Sequence, residues 1–347
     1  MFFDPEPKKR KEDFFNMEEE LKRFEDALKS SKLILVTGLR RYGKTSLILT
    51  ALNESNLDYI FLDCRLLPQK MISAKDVADL LEAELSKKPW SWKLLEGIES
   101  VSIGCFGVRF KKADRSSIIK VLERLEGKIL VIDEAQELRR SNLGMDSILA
   151  YIFDHLKVRI VVSGSQVGML YRFLRLNEPE APLFGRPYVE IRLRKLEKEK
   201  AEEFLRRGFE MEGLKVEEDV IKKAAEKFDG VIGWLAYFGF SYARGGESIE
   251  EIFEKASKLA ASEVEHALSL YGAARKRYEE VLKIIATLDS ARWSDVKRGL
   301  EAKLGKIPNN TLSAILKNLV DLGFVEKLDN EYRIADPILK NGVLRYL

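Results

Sequence analysis

The chain has 347 residues, long enough for two or three domains, and 46% of them are hydrophobic, which is ample for real cores. Its 59 basic and 56 acidic side chains leave a net charge of only +3, an excess too slight to imply nucleic acid by itself. Two cysteines without a C-x-x-C pair, two histidines at no recognisable ligand spacing and no apolar run of membrane-spanning length argue against a disulfide-stapled fold, a zinc cluster and membrane insertion; with no signal-peptide pattern, a cytoplasmic protein is expected.

Residues 1–13 are rich in Pro, Lys, Glu and Asp and predict a flexible N-terminal segment, with Lys8, Lys9, Arg10 and Lys11 solvated. Order is expected from Phe14 and Phe15. Asn16 then reads as an N-cap, and Glu19 completes a capping box for a helix whose apolar face is Leu21, Phe24 and Leu28. The apolar run from Leu33 to Thr37 predicts a buried strand. Directly after it, Gly38, Leu39, Arg40, Arg41, Tyr42, Gly43, Lys44 and Thr45 fit G-x-x-x-x-G-K-[ST] without a mismatch, and Ser46 leads on into a helix. That order predicts a phosphate-binding loop for ATP or ADP. Gly38 lets the chain turn off the strand, and Gly43 lets the backbone close round a phosphate so that N–H groups and the helix start face negative charge. Lys44 offers a mobile cation to the terminal phosphates, and Thr45 offers a hydroxyl to Mg2+.

Helix is predicted over 46–52, strand over 57–62 and helix over 73–85. Residues 86–115 interrupt this alternation: Trp90 and Trp92 precede an alternating stretch, 101–110, that suggests a short hairpin or insertion strand packed as a flap. Cys64 and Cys105 read as small buried or half-buried thiols. After a helix at 117–125, residues 129–132 make a short β-branched strand with two acids at its carboxyl end. A phosphate loop has neither an acid for the metal nor a base for water. Asp133 is placed to orient the Mg2+ shell through water, and Glu134 to polarise the attacking water. Gln136 and Glu137 either face the substrate or cap the next helix. A helix at 145–156, with a structural His155 near its end, leads to a strand at 158–162. The hydroxyls of Ser163 and Ser165 then either bond the ligand or satisfy their own turn. Pro179, Pro182 and Pro187 mark irregular chain around Gly185 and Arg186. Arg186 is the best candidate for a catalytic cation from outside the loop, in its own subunit or across an interface; the other reading is a salt-bridged turn. With a last strand at 188–193, the succession fits a doubly wound α/β domain whose ligand lies across the carboxyl ends of the strands.

The phosphate loop, Asp133-Glu134-Ala135-Gln136, the strand from Arg159 to Ser165 and Leu183-Phe184-Gly185-Arg186 together resemble the archaeal ATPase family of the AAA+ class, which is related to the signal-transducing STAND ATPases. The likeness runs from Phe14 to about Ile338. It implies a P-loop nucleoside-triphosphatase domain with a helical lid, a sensor of the γ-phosphate at Ser163 or Ser165, and adenine near the turn before the first helix. There the chain has Asn16, Met17, Glu18 and Glu19 in place of the common Asn-Arg-Glu. In the lid the family's Gly-Gly-x-Pro-x-Trp-Leu becomes a stretch with Asp229 in the first Gly position and Ile232 in the Pro position, ahead of Trp234 and Leu235.

From Glu197 the pattern is helical, with Ala201, Phe204 and Leu205 lining one helix and Val220, Ile221, Ala224 and Phe228 the next. Helix resumes over 234–243, and 249–271 reads as a charged connector in which His266 is structural or solvent-facing. From Tyr278, two helices, a third over 312–322 capped by Asn309 or Asn310, and a hairpin around Asp329 and Asn330 predict a winged helix-turn-helix. The expected division is 1–13, 14–194, 195–277 and 278–347. The third helix of the last domain carries one cation, Lys317, opposed by Asp321. Weak or conditional duplex DNA binding is therefore expected, through Lys297, Arg298, Lys303 and Lys306 on phosphates, with the wing facing a protein or acting autoregulatorily, and a protein effector or a homo-oligomer as the expected partner. The leading expectation is an Mg2+-dependent ATPase switch that couples nucleotide state to domain arrangement. The alternative is an ADP-retaining DNA-binding transcriptional regulator with little turnover. A small-molecule kinase is disfavoured, since no acceptor-substrate constellation follows the loop.

Overall fold

The computed structural model describes residues 1–104 and 107–347, which divide into two compact units. The first comprises Lys8–Gly38 and Lys44–Leu193, and the second Met1–Pro7, Leu39–Gly43 and Arg194–Leu347.

The strands of the first unit are β1 (Leu33–Thr37), β2 (Tyr59–Asp63), β3 (Val101–Gly104), β4 (Gly107–Phe110), β5 (Ile129–Asp133), β6 (Arg159–Gly164) and β7 (Val189–Arg192). Its helices are α1 (Glu18–Ser30), α2 (Lys44–Ser55), α3 (Ala74–Ser86), α4 (Pro89–Leu95), α5 (Arg115–Glu123), α6 (Met145–His155) and α7 (Val167–Leu174). Five of the strands form one parallel sheet in the order β2-β5-β6-β1-β7. β1 and β5 bury every residue, which is why they read as unbroken apolar runs instead of alternating ones. Leu35, Ile60, Ile132 and Val162 from the sheet meet Leu81, Leu149 and Leu170 from the helices in one core. Register pairs Val36 with Ser163 and Thr37 with Gly164, and it pairs Ile132 with Val162. The carboxyl ends of β1, β5 and β6 therefore lie level, at the place where open parallel sheets bind ligands.

β3 and β4 form the antiparallel hairpin that the alternation predicts, and it packs on α3, with the Val108 N–H donating to Ser86 Oγ at 3.0 Å. Cys64 is buried as expected, whereas Cys105 lies outside the described residues. The capping box expected at Asn16 is absent. Asn16 adopts a left-handed turn (φ 50°), Met17 takes the N-cap position without a side-chain bond, and the buried Met17 side chain packs while Glu18, Glu19 and Glu20 put negative charge on the first turn.

The N-terminal segment, expected to be flexible, makes contacts of its own. In the first unit, Lys8 N–H donates to Ser46 Oγ at 3.0 Å, and the Lys8 carbonyl accepts from Thr50 Oγ1. In the second unit, Phe3 is only 1% exposed, edge-on to Phe209 at 4.9 Å between ring centroids, and a Cβ on either Gly208 or Gly239 would run into its ring. Composition marked this stretch as polar, but two phenylalanines, each able to contribute about 1.5–3 kcal/mol when buried, decide its fate.

The second unit continues with α8 (Lys198–Met211), α9 (Glu218–Lys227), α10 (Ile232–Gly245), α11 (Ile249–Ser269), α12 (Arg275–Leu288), β8 (Ala291–Arg292), α13 (Trp293–Leu304), α14 (Asn309–Asp321), β9 (Val325–Leu328), β10 (Glu331–Ile334) and α15 (Pro337–Tyr346). α12 to β10 form the winged helix, with a small sheet in the order β8-β10-β9. α14 starts behind Pro308, so neither asparagine is its N-cap. α15, unforeseen in sequence, is capped by Asp336 on the Leu339 N–H at 2.8 Å and docks on α11, where Asn341 Nδ2 donates to Ser257 Oγ at 3.0 Å and Tyr346 to Glu254 at 2.8 Å. Among the described residues no helix is long and apolar enough to cross a membrane.

Candidate nucleotide site

β1 delivers the chain to Gly38 at φ +146°, where any Cβ would sit 2.9 Å from the Leu193 carbonyl oxygen. Only glycine suits that turn. Gly43 also has a positive φ, 85°, and α2 begins at the very next residue. Lys44 is 5% exposed, and its ammonium donates to the Gly38 carbonyl at 2.8 Å, bracketing the loop.

Opposite it, Thr45 Oγ1 donates to Asp133 Oδ2 at 2.8 Å, while Ser163 donates to the other oxygen, Oδ1. Asp133 is fully buried. Burial, reinforced by the neighbouring Glu134, raises its carboxyl above the ordinary range against the pull of those two hydroxyls. Glu134 behaves in the opposite way: burial would raise it, but Lys44, Ser165 and Gln136 outweigh burial and hold the carboxyl below its usual value. Its Oε2 accepts from Ser165 Oγ at 2.6 Å, from the Ser165 N–H at 3.2 Å and from Gln136 Nε2 at 2.6 Å. Glu134 is also left-handed, φ 51°, a conformation that a non-glycine residue keeps only when its surroundings over-determine it.

The hydroxyls of Ser163 and Ser165, for which the sequence left ligand or turn open, are thus both given to the two acids. Gln136, also left open, holds Glu134 from within the fold. Its own Oε1 is buried without a partner. Arg186 is not brought to this group. It precedes β7, whose first residue pairs with Ile34 near the start of β1, so it stands at the amino end of the sheet while the acids stand at the carboxyl end. Its guanidinium forks onto Asp154, Nε to Oδ1 at 2.9 Å, and also reaches the Pro182 carbonyl. The salt-bridged turn is what forms, away from the acids of its own chain. His155 lies against Tyr151, at 5.1 Å between centroids, in keeping with a structural role.

Leu39, Arg40, Arg41, Tyr42 and Gly43 group with the second unit. There Arg41 meets Glu263 and Trp234, contacts between residues about two hundred positions apart that no local pattern announces. In the lid turn, Asp229 keeps the left-handed backbone expected of the glycine it replaces, φ 49°, as short acidic side chains can.

A parallel sheet with a glycine-rich loop after β1, paired acids at the end of β5 across the intervening β6 and a winged helix beyond define a P-loop ATPase of AAA+-like fold. The chain belongs to the family described as an ATPase domain predominantly from Archaea, whose model matches residues 14–236. Residues 272–335 match the MCM protein C-terminal winged helix-turn-helix domain. The Walker-type ATPase paby2304 of Pyrococcus abyssi is similar at 32% identity and a TM-score of 0.83, covering 99% of this chain and 100% of that one. Cdc6p from Pyrobaculum aerophilum, at 14% identity and a TM-score of 0.50 over 99% of this chain and 96% of its own, shares the fold. The RuvB Holliday junction branch migration motor of Thermotoga maritima is 14% identical with a TM-score of 0.49, over 96% of each chain. No curated protein matches the sequence. The expected membership of the archaeal ATPase family is established, and family membership implies the use of a nucleotide.

Proposed function

We propose that the chain is a switch that binds ATP with Mg2+ and couples its hydrolysis to domain arrangement. The observation that carries this reading is the hydrogen-bonded set at the strand ends, Thr45 and Ser163 on Asp133, with Ser165 and Gln136 on Glu134. A hydroxyl and a carboxylate oxygen side by side are hard ligands of the kind Mg2+ takes, and a divalent cation would offset the negative charge of Asp133 and Glu134. Thr45 and Asp133 would hold the ion. When bound, it supplies Lewis-acid stabilisation of phosphate charge.

The chain's own residues do the rest. Lys44 neutralises the terminal phosphates, and the loop N–H groups bind their oxygens. Glu134, kept ionised, orients a water whose oxygen bonds to the γ-phosphorus as the bond to the β-bridging oxygen breaks. ADP and inorganic phosphate leave, and the water's proton passes through the Glu134 carboxylate to solvent. Support for a switch comes from the division of the chain into two compact units.

The winged-helix match favours a second reading, an ADP-retaining DNA-binding regulator. Against it, three of the four cations nominated for phosphate contact are already engaged within the domain: Lys297 with Glu301 at 3.0 Å, Arg298 with Asp295 at 2.6 Å and Lys303 with Glu280 at 2.7 Å. Phosphate release from ATP by the purified chain, with and without duplex DNA, separates the two. Release that stops on chelation of Mg2+ and in Lys44→Ala supports the switch. Stable ADP retention without release supports the regulator.

A further inference from the structure

Arg41 sits in the middle of the phosphate loop in a left-handed conformation, φ 66°, at a place where the loop pattern does not require glycine and the chain does not supply one. That backbone is strained for a long side chain and persists only where neighbours impose it. Three contacts do so. The Gly233 N–H donates to the Arg41 carbonyl at 2.9 Å. The guanidinium forks onto Glu263, Nη1 to Oε2 at 3.0 Å and Nη2 to Oε1. Its central carbon lies 3.7 Å from the centroid of the buried Trp234 ring. Arg40 reaches the same Glu263 carboxylate at 3.4 Å. Burial would raise the Glu263 carboxyl, yet Arg41 and then Arg40 outweigh it and keep the group ionised.

We infer that Glu263 on α11, with Trp234 on α10, is a positioning residue for ATP binding: it clasps Arg41 and so holds the strained centre of the phosphate loop in shape before nucleotide arrives. The inference rests on the ATP-binding reading above. Neither residue is among those assigned to the phosphates, the metal or the attacking water. A loop that is competent only part of the time binds its ligand more weakly in proportion to that fraction, so the clasp acts on affinity and leaves the chemical step at Glu134 alone. The geometry also demands arginine at position 41, because a lysine ammonium can neither fork onto the carboxylate nor stack on the indole.

The test measures ATP affinity and saturated turnover for the wild type, Lys44→Ala, Glu263→Gln, Arg41→Lys, Arg41→Gly and the Arg41→Gly/Glu263→Gln double variant, each confirmed folded by thermal unfolding. Glu263→Gln should weaken ATP binding about tenfold, the size of the backbone strain released, with kcat near wild type, and Arg41→Lys should weaken binding to a similar extent. In the Arg41→Gly background the turn forms unaided, so adding Glu263→Gln should cost no further affinity. Wild-type affinity in Glu263→Gln, beside a wild type that binds ATP and a Lys44→Ala that does not, overturns the clasp alone. An equal loss with and without Arg41→Gly also overturns it, because Glu263 then acts by another route. A wild type that binds no ATP overturns the clasp and the nucleotide reading together.

Discussion

After Lys44, Ser165 helps to hold the Glu134 carboxyl low, through a hydroxyl at 2.6 Å and a backbone N–H at 3.2 Å. Ser165→Ala keeps the N–H and removes the hydroxyl, so the Glu134 carboxyl should rise; if, as proposed, the ionised form orients water, the acidic limb of the pH–rate profile should move to higher pH. Loss of a hydrogen bond to a charged group predicts a fall in kcat of about tenfold at neutral pH. An unchanged profile would show that the hydroxyl has no part in the site. Arg186→Ala should leave turnover intact and cost about 1 kcal/mol of stability, the scale of a well-formed partly exposed ion pair, since its partner is Asp154 and not a phosphate. Turnover that collapses in this variant and returns on mixing with Glu134→Gln chains would instead reveal action across an interface. Glycine, lysine and threonine at fixed spacing were legible because loop chemistry demands those types in that order. The place of Arg186 was not, because the one-dimensional order does not tell which end of β7 faces the acids. Glu263 was hidden for a different reason: it is one acid among many in a charged helix, and its partner lies 222 residues away.

Elements built on apolar runs were the most readable, and β1, β5 and β6 fall where continuous hydrophobic stretches placed them. Ends and termini were less so. Met17 displaced Asn16 at the head of α1 because burial of its side chain competes with a surface cap, and Phe2 and Phe3 packed although charges surround them in sequence. α15 went unread because its short apolar pattern gains meaning only against α11. That helix carries a pH prediction. Burial pushes the Asp336 carboxyl up to about 6, against the pull of the Leu339 N–H and of Arg41 and with the added push of Asp229. The folded value lies above the ordinary aspartate value of about 3.9, so the protonated form is the one that folding favours. Its contribution is complete below that ordinary value and is lost as the pH rises through about 6. Urea unfolding of the wild type should therefore show a lower midpoint at pH 8 than at pH 5. Asp336→Asn, which still caps α15, should shrink that difference. Equal pH dependence in both proteins would mean that the carboxyl does not titrate in this range.

On the scale of the molecule, the winged helix and the ATPase chemistry make separate demands. Its shape suits DNA, but Lys297, Arg298 and Lys303 are each held by an acid of their own domain, so duplex binding should be weak, indifferent to sequence and steeply lost with salt. Tight, sequence-selective binding that survives high salt would favour the regulator. Deleting 278–347 is a poor probe of coupling, because it strips α15 from α11, where Gly342 packs against the buried Ser257 and Ala261. The most direct test of the central claim is made on the intact Glu134→Gln chain, with ATP affinity and single-turnover phosphate release measured side by side. Glutamine preserves the size of the side chain and the hydrogen-bonding oxygen but cannot take a proton, so affinity should stay near wild type while release falls about a hundredfold or more. Phosphate release at the wild-type rate would contradict the hydrolytic site described for Asp133, Glu134 and Ser165.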